Sequence, residues 1–344
     1  MTGIGSPVPS GSSPSQTLGG EVTGPGGGLS AGNGPSPSPQ AEEGRRTALL
    51  ALVFCQLITG STYLVAKIGL QELAPFALGC LRFTLTAAVF LPLLAATGRL
   101  RAPAAGDWPL LLRLAAWCIP LNQGLFLVGI RDTYASHGAL LYATSPMVVL
   151  VMAAWLGRER ATVRKAVGVG LGFAGVAVVL LEKGLAFSWS SVRGDAVVFL
   201  AVLVWGWYTL DNKAALARYD AVYLTGMAMM LGAVQFLPVG VPALWAQDWT
   251  VVTWKGLAAV AYLSLLTSAV SYLIWAWALT RLEMVQVAIV SNLQPIVAAV
   301  LGWAVLGEPV TWFFAAGTLL VGTGVFLTQT SGEAPPLTSG LRGG

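Results

Sequence analysis

The chain has 344 residues, of which 56% are hydrophobic and only 10% are charged, and its mean hydropathy is +0.73. Soluble proteins carry about 25% charged residues, so this composition excludes a pair of soluble domains. The net charge of +4 comes from cations scattered singly between apolar runs, which excludes a basic face for nucleic acid.

The first 44 residues are predicted to form a disordered cytoplasmic tail. Within residues 1–40 there are 11 Gly, 8 Ser and 7 Pro, and Glu21 is the only charged residue. Such a segment cannot bury enough apolar area to offset the entropy lost on ordering. It also lacks the basic start and apolar core of a signal peptide.

Ten apolar runs follow, each long enough to cross a bilayer as a helix. The runs are continuous, whereas the strands of a membrane β-barrel would alternate between apolar and polar residues. The predicted spans are 47–69, 75–97, 109–130, 135–157, 163–181, 195–213, 221–245, 255–279, 284–306 and 311–330.

Positive charges predict the orientation of these spans. Arg45 and Arg46 precede the first span, and cytoplasmic loops collect Lys and Arg. With the amino terminus inside, 13 Lys and Arg residues are cytoplasmic, five are external and Arg82 is left inside a span. The sequence therefore predicts a multi-pass protein of the cell membrane with both termini in the cytoplasm.

A duplication organises the chain. Residues 135–176 align without a gap on residues 284–325 at an offset of 149, which places Pro146 on Pro295. A weaker match at an offset of 146 places Lys67 on Lys213. Each unit contains five spans, and an odd number of spans forces the second unit into the opposite orientation.

The polar turns of the two units support this inversion. The turn at 158–165 holds four basic residues, whereas its copy at 307–314 holds none. The fold class predicted is therefore an all-α integral membrane protein with ten transmembrane helices arranged as two inverted five-helix repeats. The repeats cover residues 45–190 and 191–331, and a disordered tail covers 332–344.

Polar side chains inside the spans are the candidates for substrate binding. Pro146 and Pro295 each free a backbone carbonyl, at Tyr142 and Ser291, which needs a partner in lipid. Amides at the same depth need partners too, and either a polar substrate or a neighbouring helix would serve. Two deeper aromatic residues either line a cavity or pack against helices. The candidates are Gln56, Asn122, Gln123, Thr144, Ser145, Trp205, Tyr208, Asn292 and Gln294.

Three ionisable residues are candidates for binding charge or for gating. Arg82 is the one cation well inside a span, and it could pair with a substrate carboxylate, Glu72 or Glu308. Lys67 at the outer end of the first span has the same choice of partners. His137, the only histidine, could relay protons or could be an ordinary polar residue at a helix end.

The remaining polar motifs have structural explanations. Glu159 and Glu308 are predicted to cap the helices that follow their turns. No carboxylate falls at a clear mid-depth position, so ion coupling would depend on His137, on backbone carbonyls or on nothing beyond the solute gradient. The GxGxxG match at 170–175 lies inside an apolar run and indicates close helix packing instead of a dinucleotide loop.

The sequence offers no catalytic or metal motif. It contains no HExxH, no CxxC and no Walker motif, and its three cysteines lie inside apolar runs. We therefore expect no catalytic residues, no metal, no cofactor and no ATP hydrolysis by this chain.

Short motifs recur across the apolar spans of both repeats. They are Gly60-Ser61-Thr62, Lys67, Ala74-Pro75-Phe76, Leu81-Arg82-Phe83, Ser145-Pro146, Leu156-Gly157-Arg158-Glu159-Arg160, Trp205-Gly206, Gln294-Pro295 and Leu306-Gly307-Glu308-Pro309. On these motifs, the sequence from 47 to 330 resembles the EamA-type branch of the drug/metabolite transporter superfamily. Thr59 departs from this family, whose members often have Trp before the first-span glycine, and the second repeat retains that residue as Trp205.

The resemblance implies a carrier with a site between two inverted bundles. The predicted function is secondary transport of a small metabolite, amino acid or drug-like solute across the cytoplasmic membrane by alternating access, in the direction of export. The expected partners are the solute and the lipid bilayer, and no nucleic acid. The alternatives are an intramembrane lipid-modifying enzyme and a receptor or assembly subunit that transports nothing.

Overall fold

In this computed structural model the described residues are 39–157, 162–182, 189–216, 218–279, 290 and 293–329. The predicted tails and Asn292 lie outside this part of the chain, apart from the end of the first tail. The four residues at 158–161, which are the first half of the basic turn of the first repeat, lie outside it as well.

The described residues form an all-α structure whose helices coincide with the ten predicted spans. Seven helices are long and apolar enough to cross a membrane, and α9 and α10 are shorter apolar helices. The helices are α1 (Pro39–Leu70), α2 (Pro75–Ala96), α3 (Ala105–Asp132), α4 (Ala135–Trp155), α5 (Val163–Glu182), α6 (Trp189–Ala215), α7 (Ala221–Trp245), α8 (Trp254–Ala261, Tyr262–Val270 and Ser271–Leu279), α9 (Leu293–Leu306) and α10 (Trp312–Gln329).

Large apolar side chains cover the outside of the bundle. Leu50, Val151, Leu200, Val234 and Val300 are between 45% and 66% exposed, although each lies well inside a helix. In water such a surface would favour aggregation, whereas lipid tails solvate it. The exposed surface therefore fits a protein embedded in a bilayer.

The inversion of the repeats is visible where α5 packs against α10. A methyl group placed on Gly168 would lie 2.7 Å from the carbonyl oxygen of Gly324, and one on Gly175 would lie 2.6 Å from that of Gly317. Position increases along one helix as it decreases along the other, so the two helices are antiparallel. In the repeat alignment Gly168 is equivalent to Gly317, and Gly175 is equivalent to Gly324. The Gly168–Gly324 contact is therefore equivalent to the Gly175–Gly317 contact. Gly168, Gly172 and Gly175 therefore lie at close helix contacts, as the glycine pattern predicts, whereas nothing lies within 4 Å of a methyl group on Gly170.

Contacts elsewhere occur in matching pairs. At one end of the bundle Glu72 accepts hydrogen bonds from the Thr253 hydroxyl (2.7 Å) and backbone N–H (2.8 Å). The offset of 146 carries these residues to Arg218 and Asp107, which form an ion pair at the other end. Equivalent contacts at opposite ends are what two inverted five-helix repeats require.

The glycines that end α4 and α9, Gly157 and Gly307, have equivalent conformations but are not paired by the gap-free alignment of the repeats. Gly157 and Gly307 have φ of 66° and 68°, a left-handed conformation that ends a helix and favours glycine. They are one residue further apart than the offset of 149 predicts. The register of the repeat therefore slips at this turn.

Two features of the helices were not predicted. Residues Trp117–Gln123 of α3 and Tyr262–Val270 of α8 are π-helical, and the offset of 146 places the first segment inside the second, which is one residue longer at each end. A π-helical segment turns side chains away from the α-helical register and often marks a functional site. Both segments lie beside the buried polar side chains described below.

The helix α6 begins at Trp189 instead of at 195. The prediction ended the span where charged residues begin, but Arg193 and Asp195 both lie inside the helix. Arg193 donates to Asp132 at 2.9 Å, and Asp195 accepts from the Thr133 hydroxyl. Partners supplied by the α3–α4 junction allow both charges inside α6.

Candidate functional site

Arg82 is the centre of a buried chain of polar side chains between α2, α3, α4 and α8. The side chain is 3% exposed, Nε donates to Ser268 Oγ at 3.0 Å and Nη1 donates to Gln123 Oε1 at 3.1 Å. Gln123 Nε2 donates to Asn122 Oδ1 at 2.7 Å, and Asn122 Nδ2 donates to the Tyr142 hydroxyl at 2.9 Å. We call Arg82, Asn122, Gln123, Tyr142 and Ser268 the arginine cluster.

The arginine cluster contains a cation and no anion. Neither Glu72 nor Glu308 pairs with Arg82, in contrast to one alternative from the sequence, and in the described part of the chain no carboxylate forms an ion pair with it. The guanidinium carbon lies 4.9 Å from the centre of the Phe83 ring. The charge is therefore balanced by neutral hydrogen-bond acceptors and by an aromatic face.

A second polar contact joins the two repeats between α1 and α9. Gln294 Nε2 donates to Gln56 Oε1 at 2.7 Å, and Thr59 donates to the same oxygen at 3.0 Å. Close by, α1 approaches α9 at Gly60, where a methyl group would lie 2.7 Å from the Cβ of Val297. The structure thus brings two predicted site residues together, and Asn292 lies outside the described residues.

The other predicted site residues have local contacts. Thr144 is buried and donates to the Leu141 carbonyl at 2.6 Å, and Ser145 donates to the carbonyl of Tyr142, the group that Pro146 frees. Trp205 and Tyr208 lie with ring centroids 4.8 Å apart, and Tyr208 belongs to an apolar core that includes Cys118. None of these contacts marks a ligand.

A buried cluster of charges fastens the ends of α1, α4, α6 and the α9–α10 turn together. Glu308 is 5% exposed, and its Oε1 accepts from Lys67 Nζ at 3.2 Å and from the Ala135 N–H at 2.9 Å. The prediction that Glu308 caps its own following helix is wrong, because this carboxylate caps α4 instead. Thr311 caps α10 by accepting from the Phe314 N–H at 3.2 Å.

His137 and Asp195 lie in the same region. His137 is 3% exposed and Asp195 is 2% exposed, and His137 Nδ1 lies 3.5 Å from Asp195 Oδ2. Lys67 also donates to the Thr133 carbonyl at 2.5 Å, and the Thr133 hydroxyl donates to Asp195. We call Lys67, Thr133, His137, Asp195 and Glu308 the outer cluster, after the side on which the predicted topology places it.

Sequence reasoning missed Tyr142, Ser268 and Asp195. Ser268 and Tyr142 look like ordinary small or aromatic residues of an apolar run, and only the fold brings them to Arg82 and Asn122. Asp195 was read as the edge of a span. Asp195 could have been selected because it lies only two residues after Arg193 in a chain with few charges.

An open groove of about 530 Å³ lies elsewhere, between α4, α9 and α10. Its walls are mostly aliphatic, and lining residues such as Ile296, Leu319 and Phe326 are more than half exposed. Such a groove faces lipid and lacks the groups that orient a polar solute. We therefore place the candidate site at the arginine cluster. No group of three or more metal-binding side chains occurs among the described residues.

Comparison with known proteins gives the family. The model of the EamA-like transporter family matches residues 46–181 and again residues 192–330. A crystal structure with 18% identity superposes with a TM-score of 0.60, covering 83% of this chain and 98% of its own, and this similarity concerns the fold alone.

Two relatives are similar over most of their length. An uncharacterized transporter of Archaeoglobus fulgidus is 32% identical over 282 residues, which are 81% of this chain and 96% of the relative. A probable terminal-alkyne amino-acid exporter of Streptantibioticus cattleyicolor is 30% identical over 261 residues, 76% of this chain and 86% of the relative. With two matched repeats on a ten-helix fold, this chain belongs to the EamA-like transporter family, a family of multi-pass membrane transporters and not of enzymes.

Proposed function

We propose that this protein is a secondary exporter of small carboxylate-bearing metabolites, with amino acids as the foremost class. The observation that carries the proposal is Arg82, a guanidinium buried at membrane depth among neutral partners. A substrate carboxylate would supply the missing negative charge.

The free energy of a buried cation supports this assignment. Desolvation of an ion costs several kcal/mol, and neutral hydrogen bonds recover only part of that cost. Arginine binds carboxylates through two parallel N–H groups, a geometry that fits a planar anion. Two donors, Nε and one Nη1 hydrogen, are directed at Ser268 and Gln123, and the guanidinium has five N–H hydrogens in all.

The neighbours of Arg82 suit the rest of an amino acid. Asn122 and Gln123 offer amide groups, and the hydroxyl of Tyr142, which accepts from Asn122, has its own hydrogen to donate beside them. The ring of Tyr142 lies beside these amides, since its hydroxyl contacts Asn122 at 2.9 Å. An aromatic ring there could pack against an apolar side chain. The Streptantibioticus relative is described as a probable terminal-alkyne amino-acid exporter, which supports the same substrate class.

The two inverted halves supply the means of transport. Because the halves are equivalent in fold and opposite in orientation, a rocking motion can open either end in turn. The outer cluster fastens one end in this structure. With both termini in the cytoplasm, as the distribution of basic residues predicts, this conformation would receive the solute from inside the cell.

Efflux from proteoliposomes tests the proposal. Vesicles containing the full-length protein are loaded with a panel of labelled amino acids, their amides and their decarboxylated amines, and efflux is followed. We expect efflux of one or more amino acids and none of the matching amides or amines, since only the free carboxylate pairs with Arg82.

Substitutions of Arg82 test whether this residue causes the selectivity for free carboxylates. Arg82→Gln should raise the apparent KM about 10- to 100-fold, the value of one charge-assisted contact of about 1.5–3 kcal/mol. Arg82→Lys should recover only part of the loss because it lacks the planar fork. Arg46→Gln, a change on an exposed part of α1, is the control and should leave KM unchanged. Equal transport of acids and amides would contradict the proposal, and no transport of any solute by a folded protein would favour a receptor or assembly subunit.

A further inference from the structure

The outer cluster contains a titratable pair that transport by the arginine cluster does not use. His137 comes from α4 in the first repeat, and Asp195 comes from α6 in the second. Both side chains are almost completely buried, and Nδ1 and Oδ2 are 3.5 Å apart. At this distance and angle Nδ1 makes no hydrogen bond within the described residues.

Several neighbouring helices and turns contribute described residues around this pair. From α1, Lys67 bonds to the Thr133 carbonyl and to Glu308 on the α9–α10 turn. The ring of Tyr134 lies edge-on to the imidazole at 5.0 Å. From the described part of α5, the apolar Val176 and Val179 border the small cavity that His137 and Asp195 share with Leu140 and Leu141.

The net charge of the outer cluster depends on whether the His137–Asp195 pair has bound a proton. Lys67 and Glu308 are paired and offset each other. Asp195 carries a negative charge when ionised, and the adjacent imidazole is neutral or positive according to whether it has bound a proton. A protonated imidazole beside a carboxylate forms a charge-assisted hydrogen bond, whereas a neutral one forms a weaker contact.

We propose that the His137–Asp195 pair is a proton-binding site that holds the outer mouth of the carrier closed. The proposal rests on the proposed function, because it assigns a role to the mouth opposite the one through which solute enters. Closing the mouth brings His137 and Asp195 together out of water, and opening it would separate the two repeats at this point. A closed state that binds the proton more tightly than the open state is favoured as pH falls.

The consequence for export is a dependence on external pH. Protons that reach the open mouth from outside bind the pair and promote closure, and loss of the proton promotes opening. One linked proton changes the ratio of closed to open molecules by at most a factor of ten per pH unit. We expect a change of about tenfold between pH 8 and pH 5, which corresponds to a proton that the closed state binds about tenfold more tightly than the open state.

Distance measurements on the purified, full-length protein without solute test this site. Spin labels are attached to cysteines placed at Gln71, next to α1, and at Val310 on the α9–α10 turn, both exposed positions. The three native cysteines are buried, so they should react little with the label. We expect the population with the shorter distance between labels to grow about tenfold as pH falls from 8 to 5.

Substitutions of His137 and Asp195 test whether these two residues bind the proton. His137→Gln and Asp195→Asn keep the size and hydrogen-bonding capacity of each side chain, and each should abolish the pH response. Glu72→Gln is the control and should keep it, since hydrogen bonds from Thr253 hold the pKa of Glu72 below its ordinary value and this residue does not titrate in this range. A pH-independent wild type, or a response retained in either His137→Gln or Asp195→Asn, would overturn the proposal.

Two readouts keep this proposal separate from the proposed function. Failure of the pH response with intact efflux of amino acids removes the proton site and leaves the exporter. A pH response without transport of any carboxylate removes the exporter and leaves a proton-sensitive membrane protein. Size-exclusion profiles of each variant confirm folding before distances are compared.

Discussion

Glu308 shows how a single residue can be correctly noticed in the sequence and wrongly assigned. Its position at a turn predicted a local helix cap, yet its carboxylate reaches α4 and Lys67, which lie 173 and 241 positions away along the chain. Local pattern cannot distinguish a cap of the next helix from a cap of a distant one. Both interpretations satisfy free backbone N–H groups with a nearby anion.

The Lys67–Glu308 pair leads to a prediction about stability. Glu308→Gln keeps an oxygen for the Ala135 N–H but leaves Lys67, whose side chain is 20% exposed, without its partner. Removing one member of a buried pair costs about 3–5 kcal/mol, and partial exposure of Lys67 should reduce this to about 1–3 kcal/mol. Thermal unfolding in detergent should therefore show a lower Tm for Glu308→Gln.

A double-mutant cycle separates the pair from the cap. Lys67→Met combined with Glu308→Gln should be less destabilising than the sum of the two single changes, because the double variant has no unpaired cation. Strict additivity of the three Tm shifts would mean that the two side chains do not interact, and the assignment of Glu308 to Lys67 would be lost.

At the level of helices, close contact between α5 and α10 depends on glycine. Gly175→Ala would place a methyl group 2.6 Å from the Gly317 carbonyl oxygen and 2.9 Å from a Val321 methyl. Backbone atoms cannot move aside as a flexible side chain can, and overpacking of this kind costs about 1–3 kcal/mol. We expect a lower Tm and less folded protein in the membrane fraction.

The same helix offers a matched control of opposite sign. Nothing lies within 4 Å of a methyl group on Gly170, so Gly170→Ala meets open space. Alanine favours a helix over glycine by about 1 kcal/mol, and Gly170→Ala should leave Tm unchanged or raise it. Equal losses in Gly170→Ala and Gly175→Ala would show that helix packing at Gly175 is not the cause.

The sequence predicts the helices well and their side-chain contacts poorly, for physical reasons. Continuous apolar runs are a direct requirement of the bilayer, so α2 and α7 begin where predicted. The π-helical segments depend on packing against neighbouring helices, and no local pattern at Tyr262–Val270 indicates one.

The arginine cluster shows the same limit. Arg82, Asn122 and Gln123 could be selected because polar groups in lipid are rare. Ser268 could not be selected, because its partner, Arg82, is 186 positions away.

For the whole molecule, the duplication explains both the fold and the difference between its ends. Lys67 is paired with Glu308 at one end, whereas its repeat partner Lys213 is exposed at the other. Two equivalent lysines in different surroundings fit the proposed alternating access, in which one mouth is closed while the other is open.

Labelling from outside the cell tests the orientation on which this account depends. Single cysteines at Arg164, beside the basic turn of the first repeat, and at Val310, in the equivalent turn of the second, are both exposed. An impermeant maleimide applied to intact cells should label Val310→Cys and should reach Arg164→Cys only after the membrane is opened, since the basic turn is predicted to be cytoplasmic. Wild-type protein with its three buried cysteines gives the background. If both turns were labelled from the same side, the antiparallel pairing of α5 with α10 would have to be abandoned, and with it a carrier that opens alternately through two inverted halves.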